Sequence, residues 1–387
     1  MKDMQRVPRN CGRWSLAWGF TSGAALLTAT TVGAGIFALP YVFSKAGWTT
    51  GILYLVVFSV LVVSVHFLYW QVLEKFQEKK RLLALAKTYL GSTGFGIGFL
   101  AIVGGLLLVL VVYLILGGRF LTLLFPQLSN ASALILFWIF SSVPLILGRR
   151  RIVSLEFLGA ILMSAIIILI FSAVFSSSRF LSAEHFDLKN LFLPFGPILF
   201  ALAGWTAVEP VYESYKKSSD NGFNPIAALS VGTIFSVVLY VMFVLGIFAS
   251  ANVVSSDTIS GLIDWPLWKK AALGVLGLFA IWTSYIPIGL EIKNSLKYDL
   301  RWKHGASLAL VLFLPLLLIY IGLGNFLKVV SLTGGVFLSL QYLLIILVGR
   351  RVLILSTPRK LFFKLVSLVF ILAAVYEIYY FVINPHV

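Results

Sequence analysis

The chain has 387 residues, of which 60% are hydrophobic and 11% charged; soluble domains carry about 25% charged residues, so a water-soluble fold is excluded and an all-α integral membrane protein is predicted. The net charge of +16 does not make a nucleic-acid surface, because Lys and Arg sit in short segments between apolar runs, a pattern that encodes topology. One cysteine, Cys11, allows no internal disulfide, and four widely separated histidines give no metal-ligand spacing.

In chain order, a basic start is followed by an apolar stretch, as in a signal peptide. That stretch shows no convincing cleavage site and reads as helix 1. Apolar segments of around 20 residues then recur, each long enough for a roughly 30 Å hydrocarbon core. Eleven spans are predicted, at 15–43, 48–73, 95–124, 131–148, 152–175, 191–214, 225–250, 266–296, 305–323, 326–348 and 361–383. The longest polar connections are 74–94, 176–190, 251–265 and 297–304. With the N-terminus in the cytosol, 23 of the 30 Lys and Arg fall on cytosolic segments. The alternation supports an odd number of spans and an outward C-terminus.

Helix 1 contains TTVGAGIFALPYVFSKAGW, Thr30–Trp48. A helix interior loses about 1 kcal/mol per Gly and about 3 per Pro relative to Ala. In lipid the freed backbone groups find no water, so the stretch predicts a deliberate break. An unwound turn at the bilayer centre presents N–H groups that favour a carboxylate and C=O groups that favour an ammonium. The amides of Ala34, Gly35 and Ile36 are the carboxylate candidates. Gly33 and Gly35 lack a Cβ that would keep a ligand from the backbone. The carbonyls near Thr30 and of Phe200, Ala201 and Leu202 are the ammonium candidates. No charged residue lies within the helix 1 break.

Helix 2 carries His66, some 18 residues in, and is expected to place it at the cytosolic interface. Helix 5 (Ile152–Phe175) contains Glu156 and no Lys. Helix 6 contains AGWTAVEP (Ala203–Pro210), which echoes AGIFALP (Ala34–Pro40) about 169 residues earlier. Five helices separate the two, so the second unit enters the membrane inverted. Paired Gly/Pro-interrupted segments in two halves point to a secondary transporter with inverted repeats. Helices 1 and 6 are expected to be broken, within repeats at 15–175 and 191–348. Residues 1–14 are a cytosolic tail, 176–190 an extracellular loop, and 361–387 an additional eleventh helix with the C-terminus.

Three passages resemble the amino acid–polyamine–organocation superfamily, nearest to prokaryotic aromatic/hydroxy amino acid permeases and amino acid/auxin permeases. They are TTVGAGIFALPYVFSKAGW, FALAGWTAVEPVYESY and AIWTSYIPIGLEIKNSLKYDL (Ala280–Leu300). The resemblance covers the whole chain. It implies a leucine-transporter-like fold of two inverted five-helix repeats plus one helix, and uptake of amino acids driven by an ion gradient across the cytoplasmic membrane of a prokaryote. It also implies a pocket lined by helices 1, 3, 6 and 8, with Thr31, Tyr113, Trp205, Ser284 and Ile288 as wall residues. Tyr113 would bond the substrate carboxylate, and Trp205 would close over the substrate. Sodium-coupled members use a small residue followed by hydroxyls three and four positions on. Here Ala280, Thr283 and Ser284 have that spacing and share one helix face, and the matching helix 1 carbonyls are Ala29 and Val32. The proton alternative rests on intramembrane carboxylates, namely Glu156, Glu209 and Glu291. The favoured reading instead makes them cytosolic gate residues paired with Arg149–Arg151, Lys216 or Lys293.

The expectation is a monomeric, non-enzymatic amino acid symporter with Na+ or H+ as coupling ion and no other cofactor. Its partners are the substrate and the lipid bilayer. The substrate is expected to be neutral, apolar or aromatic. Alternatives are a transporter-fold nutrient sensor or a carrier of polyamines or other organic ions. A channel would show polar pore rings, and an intramembrane enzyme a catalytic constellation; neither pattern is present.

Overall fold

The computed structural model describes residues 13–76, 81–147, 152–175, 186–218, 224–262, 264–298 and 300–383. Helices make up the fold, and no strand occurs among the described residues. The N-terminal part comprises α1 (Arg13–Thr31), α2 (Leu39–Ala46), α3 (Trp48–Glu74), α4 (Leu82–Phe99), α5 (Gly105–Leu124), α6 (Asn130–Leu147) and α7 (Ile152–Phe171). Then follow α8 (Phe195–Leu202), α9 (Trp205–Ser218), α10 (Pro225–Ser250), α11 (Leu267–Tyr298), α12 (His304–Tyr320), α13 (Phe326–Leu332), α14 (Ser339–Val352) and α15 (Thr357–Ile383). Among the described residues, seven helical stretches are long and apolar enough to cross a membrane. An eighth is the bent pair Gly23–Thr31 and Ala34–Ala46, which turns by 46°. Ile161–Phe175 and His304–Tyr320 are shorter apolar helices.

Local sequence sets several boundaries. Asn224 caps α10 by accepting from the Ala227 N–H at 3.2 Å, with Pro225 in the first turn where no donor is needed. Asn325 caps α13 through the Lys328 N–H at 3.0 Å. One predicted loop is a helix. The segment 74–94 was expected to be a polar connection, yet Leu82 begins α4. Leu82, Leu83, Leu85 and Ala86 are buried there, so apolar packing overrides the charges of the flanking segment. The helix bends at Gly91, whose φ of 73° and ψ of −163° suit glycine. π-turns at Leu100–Gly104 and Thr333–Leu338 interrupt the helices on either side of them.

Leu53, Val56 and Val60 of α3 and Leu365, Leu368, Leu372 and Val375 of α15 are exposed. Such faces suit lipid. Between apolar helices in lipid, association rests on close packing and interhelical hydrogen bonds. Thr28 Oγ1 of α1 donates to the Gly232 carbonyl of α10 at 3.1 Å. Trp138 Nε1 of α6 donates to the Leu312 carbonyl of α12 at 2.9 Å. Arg359 of α15 donates to Gln71 of α3 at 2.6 Å.

Candidate functional site

Helix 1 breaks where its glycines stand. α1 ends at Thr31, Val32 and Gly33 are non-helical, and a tight turn over Ala34–Ala38 leads into α2. Pro40 sits in the first turn of α2, where its missing N–H costs nothing. Val32 N–H still reaches Thr28 O at 2.8 Å. The N–H groups of Gly33, Ala34 and Gly35 have no backbone acceptor among the described residues, and the carbonyls of Ala29, Thr30 and Val32 no backbone donor. The Ile36 amide, expected to be open to a carboxylate, instead donates to Gly33 O at 3.3 Å. It closes the first turn, so Gly33 N–H takes its place among the open donors.

Helix 6 breaks between α8 and α9. Ala203 is extended, with φ of −70° and ψ of 105°. Its N–H reaches Phe200 O at 3.4 Å, and the Ala201 carbonyl accepts from the Tyr240 hydroxyl at 2.5 Å. Of the three ammonium acceptors expected on helix 6, Phe200 and Ala201 are therefore engaged within the protein. The Leu202 carbonyl has no backbone donor among the described residues.

The two breaks touch. A Cβ on Gly35 would stand 2.7 Å from Ala201 Cα and 2.9 Å from Phe200 Cδ1. Gly35 is thus the contact point between the half-helices, and its missing Cβ makes room for the Ala201 backbone. A Cβ on Gly33 would meet nothing closer than the Tyr113 hydroxyl at 3.7 Å. The buried Tyr113 of α5 is therefore the side chain beside Gly33. On the other side, a Cβ on Gly204 would stand 2.6 Å from Thr31 Oγ1. Tyr240 of α10 ties the unit together, because its hydroxyl lies 2.9 Å from Thr31 O and 2.5 Å from Ala201 O. Sequence reasoning missed Tyr240. One tyrosine among 15 in an apolar helix carries no local signal of what its hydroxyl meets.

Other predicted wall residues are held in place by neighbours. Thr30 and Thr31 donate back to Leu26 O and Leu27 O at 3.0 and 2.7 Å. Trp205 donates its indole N–H to Gln341 Oε1 at 2.6 Å, and Gln341 Nε2 donates to Ala101 O in the first π-turn at 2.7 Å. Trp205 is 6% exposed. Its N–H is thus committed to α14. Ile288 is half-buried on α11.

Ala280, Thr283 and Ser284 gather three oxygens on α11. Both hydroxyls donate to Ala280 O, at 2.9 and 3.0 Å, which leaves their lone pairs available. Thr283 is wholly buried, and a Cβ on Gly159 of α7 would stand 2.5 Å from its Oγ1. Hydroxyl and carbonyl oxygens are the hard donors a sodium ion prefers. The open carbonyls of Ala29 and Val32 belong to the same chemical class, so the residue types fit the ion.

The carboxylates find partners other than those expected. Glu209 Oε1 accepts from the Tyr69 hydroxyl. Glu291 pairs with Arg81 at 3.1 Å, both half-exposed, and Lys293 Nζ donates to Leu145 O at 3.2 Å. The helical start of α4 carries Arg81 to α11, which sequence distance alone did not indicate. The side chain of Glu156 and residues Arg149–Arg151 lie outside the described residues. His66 faces protein. It is wholly buried, with Nε2 3.0 Å from the Tyr342 hydroxyl and Cε1 3.5 Å from the Cβ position of Gly204. Counting residues gave its depth along α3, and depth does not say which side of a helix faces protein.

The connection 251–265 folds over one end of helix 1. Thr258, at φ of 60°, donates to Phe37 O at 2.6 Å. Asp257 is buried, accepts from Ser255, Ser260 N–H and Ser260 Oγ, and pairs with Arg119 of α5 at 3.2 Å.

A family profile described as transmembrane amino acid transporter protein matches residues 18–383. Among solved structures, the chain is similar to MhsT in complex with L-phenylalanine, at 15% identity and a TM-score of 0.63. The match covers 95% of this chain and 98% of that one. It is also similar to a manganese transporter of Eremococcus coleocola in complex with an aromatic bis-isothiourea compound, at 12% identity and a TM-score of 0.58, covering 97% and 90%. At these identities the likeness concerns the fold. No curated protein matches the sequence.

Proposed function

The chain belongs to the transmembrane amino acid transporter family, and from that premise we propose that it imports neutral, apolar or aromatic amino acids by symport with Na+ or H+ through alternating access. In this reading eleven spans form two inverted five-helix repeats plus α15, with the N-terminus cytosolic and the C-terminus outside. α4 and α5 together make the third span, α8 and α9 the sixth, and α13 and α14 the tenth.

The observation that carries the reading is the face-to-face meeting of two helix breaks, pinned by Tyr240. An amino acid brings one negative and one positive group. The N–H groups of Gly33, Ala34 and Gly35 begin a half-helix and suit the carboxylate, with the Tyr113 hydroxyl beside Gly33 as a further donor. The carbonyls of Thr30 and Leu202 suit the ammonium. No Asp, Glu, Lys or Arg stands in either break, so the site avoids the expense of a buried charge and favours a net-neutral substrate. The oxygens of Ala29, Val32, Ala280, Thr283 and Ser284 would hold a sodium ion, which would supply positive charge beside the substrate. Glu291 with Arg81, and Glu209 with Tyr69, would close the cytosolic side.

The test is a thermal-shift screen of the purified protein against the twenty amino acids, in sodium or potassium chloride at equal ionic strength. A ligand well above its Kd raises stability by a few kcal/mol. Stabilisation by apolar amino acids is expected, stronger in sodium. A response without a sodium effect moves coupling to protons and the glutamates. No response to any amino acid would sink the substrate class.

A further inference from the structure

A buried carboxylate stands apart from both helix breaks. Glu377 lies on α15 and is 4% exposed. Its Oε1 accepts from the Gly196 N–H at 3.2 Å, in the first turn of α8. Oε2 makes no hydrogen bond within the described residues. The backbone is shaped around this side chain. A Cβ on Gly196 would stand 2.5 Å from Oε1, and one on Gly335, in the second π-turn, 1.9 Å from Cγ. A carboxylate at such burial is costly unless it is paired, and one amide is a small offset.

Glu377 also lines a cavity shared with Tyr41, Lys328, Ser331, Tyr380 and Phe381. In the proposed orientation the cavity opens at the outer face, beside α2. We propose that this cavity is a binding site for an ammonium group, with Glu377 as its counter-charge. The hydroxyls of Tyr41, Ser331 and Tyr380 are the remaining acceptors for an –NH3+ group, which has three donors. The aromatic walls suit an organic cation, since an ammonium is drawn to a ring face. The Phe381 ring already carries the Lys328 ammonium, 4.6 Å from its centre, and the Tyr41 ring that of Lys45 at 5.7 Å, which leaves the Tyr380 ring for the ligand. A metal ion fits poorly, because no group of three His, Cys, Asp or Glu occurs among the described residues. The ammonium has two sources, a free organic amine or the α-ammonium of an amino acid.

The test uses the purified full chain with phenethylamine, its neutral counterpart 2-phenylethanol, and L-phenylalanine at constant ionic strength, with calorimetric binding as the readout. Wild type should bind phenethylamine and not 2-phenylethanol. Glu377→Gln keeps an acceptor for the Gly196 N–H, so the end of α8 stays satisfied, and it should weaken phenethylamine binding by about tenfold or more, as loss of a charge-assisted contact implies. Tyr380→Leu keeps the carboxylate and should weaken binding roughly 2–30-fold. An equal loss for L-phenylalanine in Glu377→Gln assigns the site to amino acids; a loss confined to phenethylamine assigns it to free amines. Equal phenethylamine affinity in wild type and Glu377→Gln, or none in wild type, would overturn the proposal and leave Glu377 as a cap for α8. The site does not depend on amino acid transport. Amine binding that persists where no amino acid stabilises the protein would sink the transport reading alone.

Discussion

Gly33 and Gly35 stand two residues apart and do different work. Gly35 lets backbone meet backbone, so a methyl group there has nowhere to go. Gly35→Ala should cost about 1–3 kcal/mol, as overpacking does, and abolish uptake, measured by thermal unfolding and by uptake into proteoliposomes. Gly33→Ala meets only a hydroxyl at 3.7 Å. Its stability should change by less than about 1 kcal/mol, while amino acid affinity falls because the methyl shields an open amide. If the two variants behave alike, the division of roles is wrong. Tyr240→Phe removes the donor shared by Thr31 O and Ala201 O. Leaving buried carbonyls without it should cost about 1–3 kcal/mol and lower substrate affinity in the same calorimetric assay.

At the scale of elements, α4 shows how an apolar face overrides a charged neighbourhood. Its bend rests on Gly91, whose conformation a side chain resists. Gly91→Ala should destabilise by about 1–3 kcal/mol, although nothing lies within 4 Å of the new methyl, so strain and crowding are separated by this one variant. The Arg81–Glu291 pair that fastens α4 to α11 is half-exposed. Such pairs contribute about 0–1 kcal/mol, so Glu291→Gln should leave the unfolding temperature nearly unchanged. If the pair closes the cytosolic side, the transport rate should nevertheless change, and the exchanged pair Arg81→Glu with Glu291→Arg should restore it. A large loss of stability with an unaltered rate would make the pair a structural tie.

For the whole molecule, the proposed topology places 125–129 outside and 353–356 in the cytosol. Gln127 and Ser356 are exposed. With Cys11 replaced by Ser, a cysteine at Gln127 should react with a membrane-impermeant maleimide in intact cells, and one at Ser356 only after permeabilisation. The reverse result would invert the orientation.

A membrane-embedded helical chain, the helix 1 break and the helix 6 break are all legible in the sequence. These follow from local chemistry: apolar length, glycine and proline are properties of a segment wherever it packs. What the breaks face is not legible there. Gly35 read as an opening and is a contact; Ile36 read as an open amide and closes a turn; His66 read as interfacial and is buried beside Gly204. Tyr240, Gln341 and Glu377 gave no local signal, because their partners lie 39 to 240 residues away. These points are set by packing, since which side of a uniformly apolar helix turns to protein rather than lipid depends on the neighbours it packs against.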